Sequence, residues 1–247
     1  YSRSGKIISQ LKDRIGSEIR THYPKTRKIS LEITKQEINL PVTFPKIEIP
    51  DFIEEIIEEI TIQARNSHLI NQKSGVSARL SIANYETALS SARRRSLYLG
   101  EETGVVRITD LGNLFTSSSG KIELDPYRDE SITEYQVIMK LLDQATKIVF
   151  EENFPQKKYS ADFEQIARQV YSAKNLEISD SMPASDYKNI IKQIPGIWEL
   201  LNEKKLDKNE KLFASGIEFI LEGLVSLKKL SRRRLGELSS YKSVDIY

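Results

Sequence analysis

Pro50-Asp51-Phe52-Ile53-Glu54-Glu55-Ile56-Ile57-Glu58-Glu59-Ile60 is the stretch that decides the fold class. Phe52, Ile53, Ile56, Ile57 and Ile60 return at three- and four-residue spacing, the period of one helical face. Glu54, Glu55, Glu58 and Glu59 fill the other face. A proline followed by acidic residues suits the first turn, where the missing N–H costs nothing and the helix dipole favours negative charge.

C-terminal of this helix, a polar loop from Asn66 to Gly75 leads into a second one, Ser77 to Leu99. Its stripe is Ile82, Tyr85, Leu89, Ala92 and Leu99, with Gly100 as the stop. Val105-Val106-Arg107-Ile108 reads as a short strand, and Thr109 caps a brief helix through Phe115. Thr116-Ser117-Ser118-Ser119-Gly120 has the composition of a linker. Beyond it the spacing predicts almost continuous helix. Ser131-Ile132-Thr133-Glu134 has the form of a capping box and opens a helix carried by Ile138, Leu141, Leu142, Ala145, Ile148 and Val149. Shorter helices follow over Tyr159–Tyr171 and Ser185–Ile194, the second ended by Pro195-Gly196. The last long helix is expected from Lys208 to Arg232. Gly216 and Gly223 lie on one side of it, at ~1 kcal/mol each relative to alanine, which close approach of a neighbouring element would justify. N-terminal of Pro50 the signal is weaker. Ile29-Ser30-Leu31-Glu32-Ile33-Thr34 alternates like a strand, and Pro24, Pro41 and Pro45 forbid a long helix, so extended pieces with one or two short helices are expected.

Composition narrows the function classes. The 247 residues carry 37 Lys+Arg against 35 Asp+Glu, a net charge of +2, so no surface-wide electrostatic trap for nucleic acid or anionic lipid exists. Apolar residues make up 39%, enough for a sizeable core. There is no cysteine, which removes disulfides, thiolate metal sites and thiol nucleophiles. The only histidines, His22 and His68, form no metal-binding spacing; His22 reads as structural and His68 as solvated. No apolar run reaches the ~18 residues of a membrane span. A reducing, cytoplasmic setting is the expectation. The opening, Tyr1 to Lys6, is neither a Met start nor a signal peptide and reads as part of a longer chain. No Gly-rich phosphate loop and no nucleophile elbow is present.

Two short stretches carry more. Leu11-Lys12-Asp13-Arg14-Ile15-Gly16, followed by Glu18-Ile19-Arg20-Thr21-His22-Tyr23-Pro24, resembles the segment after the sensor-1 strand in magnesium-chelatase I-type AAA+ ATPases. Ser74-Gly75-Val76-Ser77-Ala78-Arg79-Leu80-Ser81-Ile82-Ala83-Asn84-Tyr85-Glu86 is similar to the sensor-2 motif that opens the lid helix of that family, and Val106-Arg107-Ile108-Thr109-Asp110-Leu111 to the end of its lid. The resemblance, to this family or its MoxR-type relatives, spans about half the chain. It implies a mainly α chain: residues 1–45 the tail of an AAA+ α/β core, 46–120 the helical lid, and 121–247 an all-helical C-terminal extension. It further implies that Arg14 is presented to the nucleotide of a neighbouring subunit with Asp13 holding its fork, and that Arg79 contacts phosphate in its own subunit. ATP and Mg²⁺ belong to a full-length parent whose Walker motifs lie upstream; this chain alone is expected to bind neither tightly and to be inactive. A hexameric ring that remodels a partner, in this family often a von Willebrand A-domain protein, completes the picture.

Guanidinium is the right chemistry for the task, because planar paired donors stabilise charge spreading over γ-phosphate oxygens. The plainer readings differ. An Asp-Arg pair is ordinarily a surface ion pair worth at most about 1 kcal/mol. Arg79 at a helix start sits against the dipole, which argues for some other reason to be there. Arg93-Arg94-Arg95 cannot form one patch on a helix. Lys228-Lys229 with Arg232-Arg233-Arg234 is expected at a solvated helix end, open to an acidic partner; nucleic acid is the least favoured partner. The competing reading of the whole chain is a non-catalytic helical interaction module.

Overall fold

Phe52, Ile53, Ile56, Ile57 and Ile60 all lie in the core, and the helix they build runs from Asp51 to Asn66. The computed structural model describes residues 9–17, 19, 21–38, 46–129, 131–173 and 176–244. In chain order its elements are α1 (Ser9–Lys12), α2 (Arg27–Glu37), β1 (Ile47–Glu48), α3 (Asp51–Asn66), α4 (Arg79–Tyr98), β2 (Gly104–Val105), α5 (Ile108–Leu111), α6 (Leu114–Ser118), α7 (Glu134–Asn153) and α8 (Gln156–Ser172). Then come β3 (Leu176–Ser179), a 3₁₀ turn (Ala184–Asp186), α9 (Tyr187–Gln193), α10 (Gly196–Glu203), α11 (Glu210–Ser226), β4 (Leu230–Leu235) and β5 (Leu238–Ser243). The described chain is mainly α. None of its helices is long and apolar enough to cross a membrane.

The acidic side of α3 is not a solvent face. Glu54, Glu58 and Glu59 are buried, because α2 and α4 cover them with matching donors. Thr34 bonds Glu58, Ser81 donates to Glu58 at 2.9 Å, Tyr85 donates to Glu54 at 2.7 Å and Arg27 to Glu59 at 2.9 Å. α2 itself replaces the strand expected at Ile29–Thr34. Thr26 caps it by accepting from the Ile29 N–H at 3.3 Å, and Ser30 and Thr34, one turn apart, are its buried residues. The alternation in sequence misleads because the polar positions face inward here. Pro41, Pro45 and the sequence start at Tyr1–Lys6 lie outside the described residues.

The linker expected at Thr116–Gly120 is largely helix α6. Ser117 and Ser118 are buried, and their hydroxyls donate to Asn84 of α4 at 2.7 and 3.0 Å. Consequently residues 46–120 and 121–247 share one hydrophobic core. Phe52 of α3 stacks on Phe219 of α11 with centroids 4.3 Å apart, and Phe150 of α7 meets Phe219 edge-on at 5.4 Å. The expected close approach at α11 is present: a Cβ on Gly216 would lie 2.5 Å from Leu201, and one on Gly223 2.1 Å from the Phe150 ring.

The extension is not all-helical. α11 ends at Ser226 rather than running to Arg232, because Lys228 turns left-handed (φ 59) and closes a Schellman motif. The Lys228 N–H bonds the Val225 carbonyl and the Lys229 N–H the Leu224 carbonyl, each at 2.9 Å. The chain then forms a hairpin whose strands join a three-stranded antiparallel sheet in the order β3-β5-β4. Pro195-Gly196 ends α9 but also starts α10, which the spacing did not predict. The capping box of α7 is two residues further on, Thr133 with Gln136. The strand expected at Val105–Ile108 is the two-residue β2, parallel to β1.

Candidate functional site

Arg79 is the first residue of α4 and is exposed. Ala78 offers no side-chain cap, and the Arg79 N–H instead donates to the Ser77 hydroxyl at 3.0 Å. Among the described residues its guanidinium makes no hydrogen bond or ion pair. A cation thus stands unpaired at the positive end of a 20-residue helix, the arrangement in which backbone dipole and side chain both favour an anion.

The loop before Arg79 is held from three directions. The Asn71 N–H bonds the Glu123 carbonyl at 2.8 Å, and Ser74 bonds the Glu123 side chain. Gly75 takes φ +70 and leaves room for the Tyr23 hydroxyl, which a Cβ there would meet at 2.6 Å. That hydroxyl accepts from the Val76 N–H at 3.0 Å. Arg65, in the last turn of α3, lies over the Tyr23 ring at 4.2 Å and donates through Nε to the Val76 carbonyl at 3.1 Å. Burial pulls the Arg65 pKa down, and its Nη2 is buried with no hydrogen-bond partner. The segment 21–24 and the loop 74–78, far apart in sequence, are therefore stitched together by one tyrosine. Neither Tyr23 nor Arg65 stood out in the sequence. A tyrosine before a proline and an arginine at a helix C-terminus are both ordinary there.

Arg14 and Asp13 follow α1 in a turn closed by the Arg14 N–H on the Leu11 carbonyl at 3.1 Å, and both are exposed. Among the described residues the expected Asp13–Arg14 ion pair does not form. Adjacent residues in a tight turn point their side chains apart. Glu18 and Arg20 lie outside the described residues. Among the described residues His22 bonds only the neighbouring Tyr23 carbonyl, at 2.7 Å.

The far end of α4 is the opposite case. Arg95 is buried and grips Asp110 through Nη2 at 2.8 Å and Nε at 3.3 Å, with a further bond to the Val105 carbonyl at 2.7 Å. Burial lowers the Arg95 pKa, but Asp110, with Glu218 and Tyr187 behind it, offsets that and the net shift is upward. Asp110 also accepts the Arg107 N–H at 2.8 Å. Arg107, 1% exposed, donates to the Met182 carbonyl at 2.7 Å and lies over the Tyr187 ring at 4.9 Å. Tyr187 donates to Glu218 of α11, whose other oxygen accepts the Thr109 N–H at 2.9 Å. Burial raises the Glu218 pKa against the pull of Arg107. This cluster ties α4 and α5 to α9 and α11.

A groove of about 710 Å³ along α8 is lined by Glu164, Gln165, Arg168 and Gln193, none of which belongs to either arginine site. Among the described residues no group of three or more His, Asp or Glu side chains could hold a metal ion. The donor set at Arg79 suits phosphate oxygens rather than a cation. The chain matches no protein-family model, no curated protein and no solved structure with significance.

Proposed function

We propose that the chain is the C-terminal portion of an AAA+ ATPase of the magnesium-chelatase I type, supplying Arg79 as a sensor-2 arginine in its own subunit and Arg14 as an arginine finger to the next. The observation that carries this reading is the exposed, unpaired Arg79 guanidinium at the N-terminus of a helix fixed at both ends. A triphosphate there would satisfy the guanidinium and the helix dipole together. On this reading the nucleotide and its Mg²⁺ would come with a core upstream.

Two further features support it. Tyr23 joins the segment that follows Arg14 to the loop that precedes Arg79, so both stretches of the resemblance meet in one local structure. Ile19, Tyr23, Ile29 and Ile33 are exposed apolar residues of the N-terminal segments, of the kind that would seat an α/β core. The same reading places the protein in the cytoplasm, in a hexameric ring that remodels a partner such as a von Willebrand A-domain protein.

The test uses the full-length polypeptide that carries this chain. Arg14→Ala is expected to lower ATP turnover by roughly 10³-fold or more, the scale of an arginine finger. Mixing Arg14→Ala subunits with subunits defective only in their own nucleotide site should restore part of the activity, because each supplies what the other lacks. Arg79→Ala should lower turnover without dissociating the ring. If both single variants hydrolyse ATP at the unaltered rate, the assignment is wrong.

A further inference from the structure

The basic run at the end of the chain lies on a strand with an open edge. The Val244 N–H bonds the Lys229 carbonyl at 3.3 Å, which makes 229 and 244 a hydrogen-bonded pair. Alternation along the antiparallel register then makes 231/242, 233/240 and 235/238 hydrogen-bonded pairs as well. Gly236 (φ 63) supplies the turn that this register requires. Leu230, Arg232 and Arg234 therefore point their backbone N–H and C=O groups away from β5. Among the described residues those groups meet no hydrogen-bond partner, and 231–235 are exposed. Leu230 is buried, so the unfilled side of the ladder runs over Ser231 to Leu235, roughly 17 Å.

Charge on this edge is one-sided. Arg232 and Arg234 turn inward to Glu222 at 2.6 Å and Asp180 at 2.5 Å. Arg233, on the outer face beside Ser231, makes no ion pair among the described residues, and Lys228, Lys229 and Lys242 flank it. Within 228–244 only Glu237 opposes them. Positive charge on an edge strand keeps two copies of it from pairing, since like charges would stand opposite one another. The same charge admits a strand of opposite sign.

We propose that the free edge of β4 binds an extended acidic peptide segment as a fourth strand of the β3-β5-β4 sheet. Main-chain bonds to Arg232 and Arg234 supply the affinity, and Arg233 with the flanking lysines selects carboxylates. The surface is independent of the ATPase reading and stands or falls without it.

The probe is a capped seven-residue peptide alternating valine and glutamate, titrated into the full 247-residue chain with amide exchange followed by NMR. Binding should slow exchange of the Arg232 and Arg234 amides at least tenfold. Arg233→Glu should weaken binding tenfold or more, and Arg233→Gln by less, the scale of one charge-assisted contact. Both variants should keep the unaltered melting temperature, since Arg233 is exposed. A peptide of the same charge with its alternate amides N-methylated should lose binding, because it cannot complete the ladder. The proposal is overturned if the N-methylated peptide binds equally well, if the Arg232 and Arg234 amides exchange at the free rate in the complex, or if a single-stranded oligonucleotide of equal charge binds more tightly than the peptide.

Discussion

The two ends of α4 carry the same side chain in opposite conditions. Arg79 opens the helix, exposed and without a partner among the described residues, where the dipole repels it. Arg95, roughly 24 Å further along the axis, is buried against Asp110 at the end where the dipole favours a cation. Buried charge survives only when paired, so Arg95 is explained by the fold around it. Arg79 is not, and an arginine that the fold does not use is available for a ligand. The helix between them is joined at its far end to α11 through Arg95, Asp110, Arg107, Tyr187 and Glu218.

Removing the buried member should hurt most. Arg95→Met leaves Asp110 uncompensated and is expected to cost about 3–5 kcal/mol in urea unfolding. Adding Asp110→Leu should recover part of that loss, because the stranded carboxylate goes with it. An Arg95→Met protein of unaltered stability would dissolve the contrast between the two ends.

At the other end, Tyr23→Phe removes the hydroxyl that accepts from Val76 and is expected to cost about 1 kcal/mol. The effect should be local. Exchange of the Val76 amide should rise while amides of α3 keep their protection. If the proposed ATPase reading holds, the same variant should also lower ATP turnover in the full-length polypeptide, because the loop before Arg79 is loosened.

Glu218 gives the comparison a pH dependence. Burial raises its pKa in the folded state above that of the unfolded chain. A raised carboxyl pKa contributes stability that is complete below the unfolded value, about 4.3, and is lost as pH rises through the folded value. The stability of the native chain relative to Glu218→Gln should therefore shrink as pH rises from 4 toward neutrality. A gap that widens over that range would reverse the sign argued for the cluster.

The smallest effect belongs to Arg79. Arg79→Ala should change unfolding free energy by no more than about 0.5 kcal/mol, despite the loss in turnover expected of it. A large destabilisation would mean that the guanidinium has a structural partner, and the phosphate reading would lose its support.

Periodicity located α3, α4, α7 and α8 to within a few residues because their apolar faces meet the core. It misread α2, whose inward face is Ser30 and Thr34, since hydroxyls can replace apolar packing when buried carboxylates wait opposite. It overran α11 because the stop is Lys228 in a left-handed conformation, a place where glycine would have announced the turn. Arg14, Asp13 and Arg79 were legible as motif residues. Tyr23 and Arg65, which fix the loop before Arg79, were not, because their roles depend on contacts across distant segments.

The sequence by itself determined a mainly helical chain, the positions of its strongest amphipathic helices and two arginines worth testing. These depend on spacing and on side-chain chemistry, which are local properties. Only the tertiary structure decided which glutamates of α3 are buried, that Ser117 and Ser118 of the serine-rich stretch are buried too, and that the terminal arginines line a sheet edge. Each of those outcomes depends on what packs opposite, and a chain read one residue at a time does not contain its own neighbours.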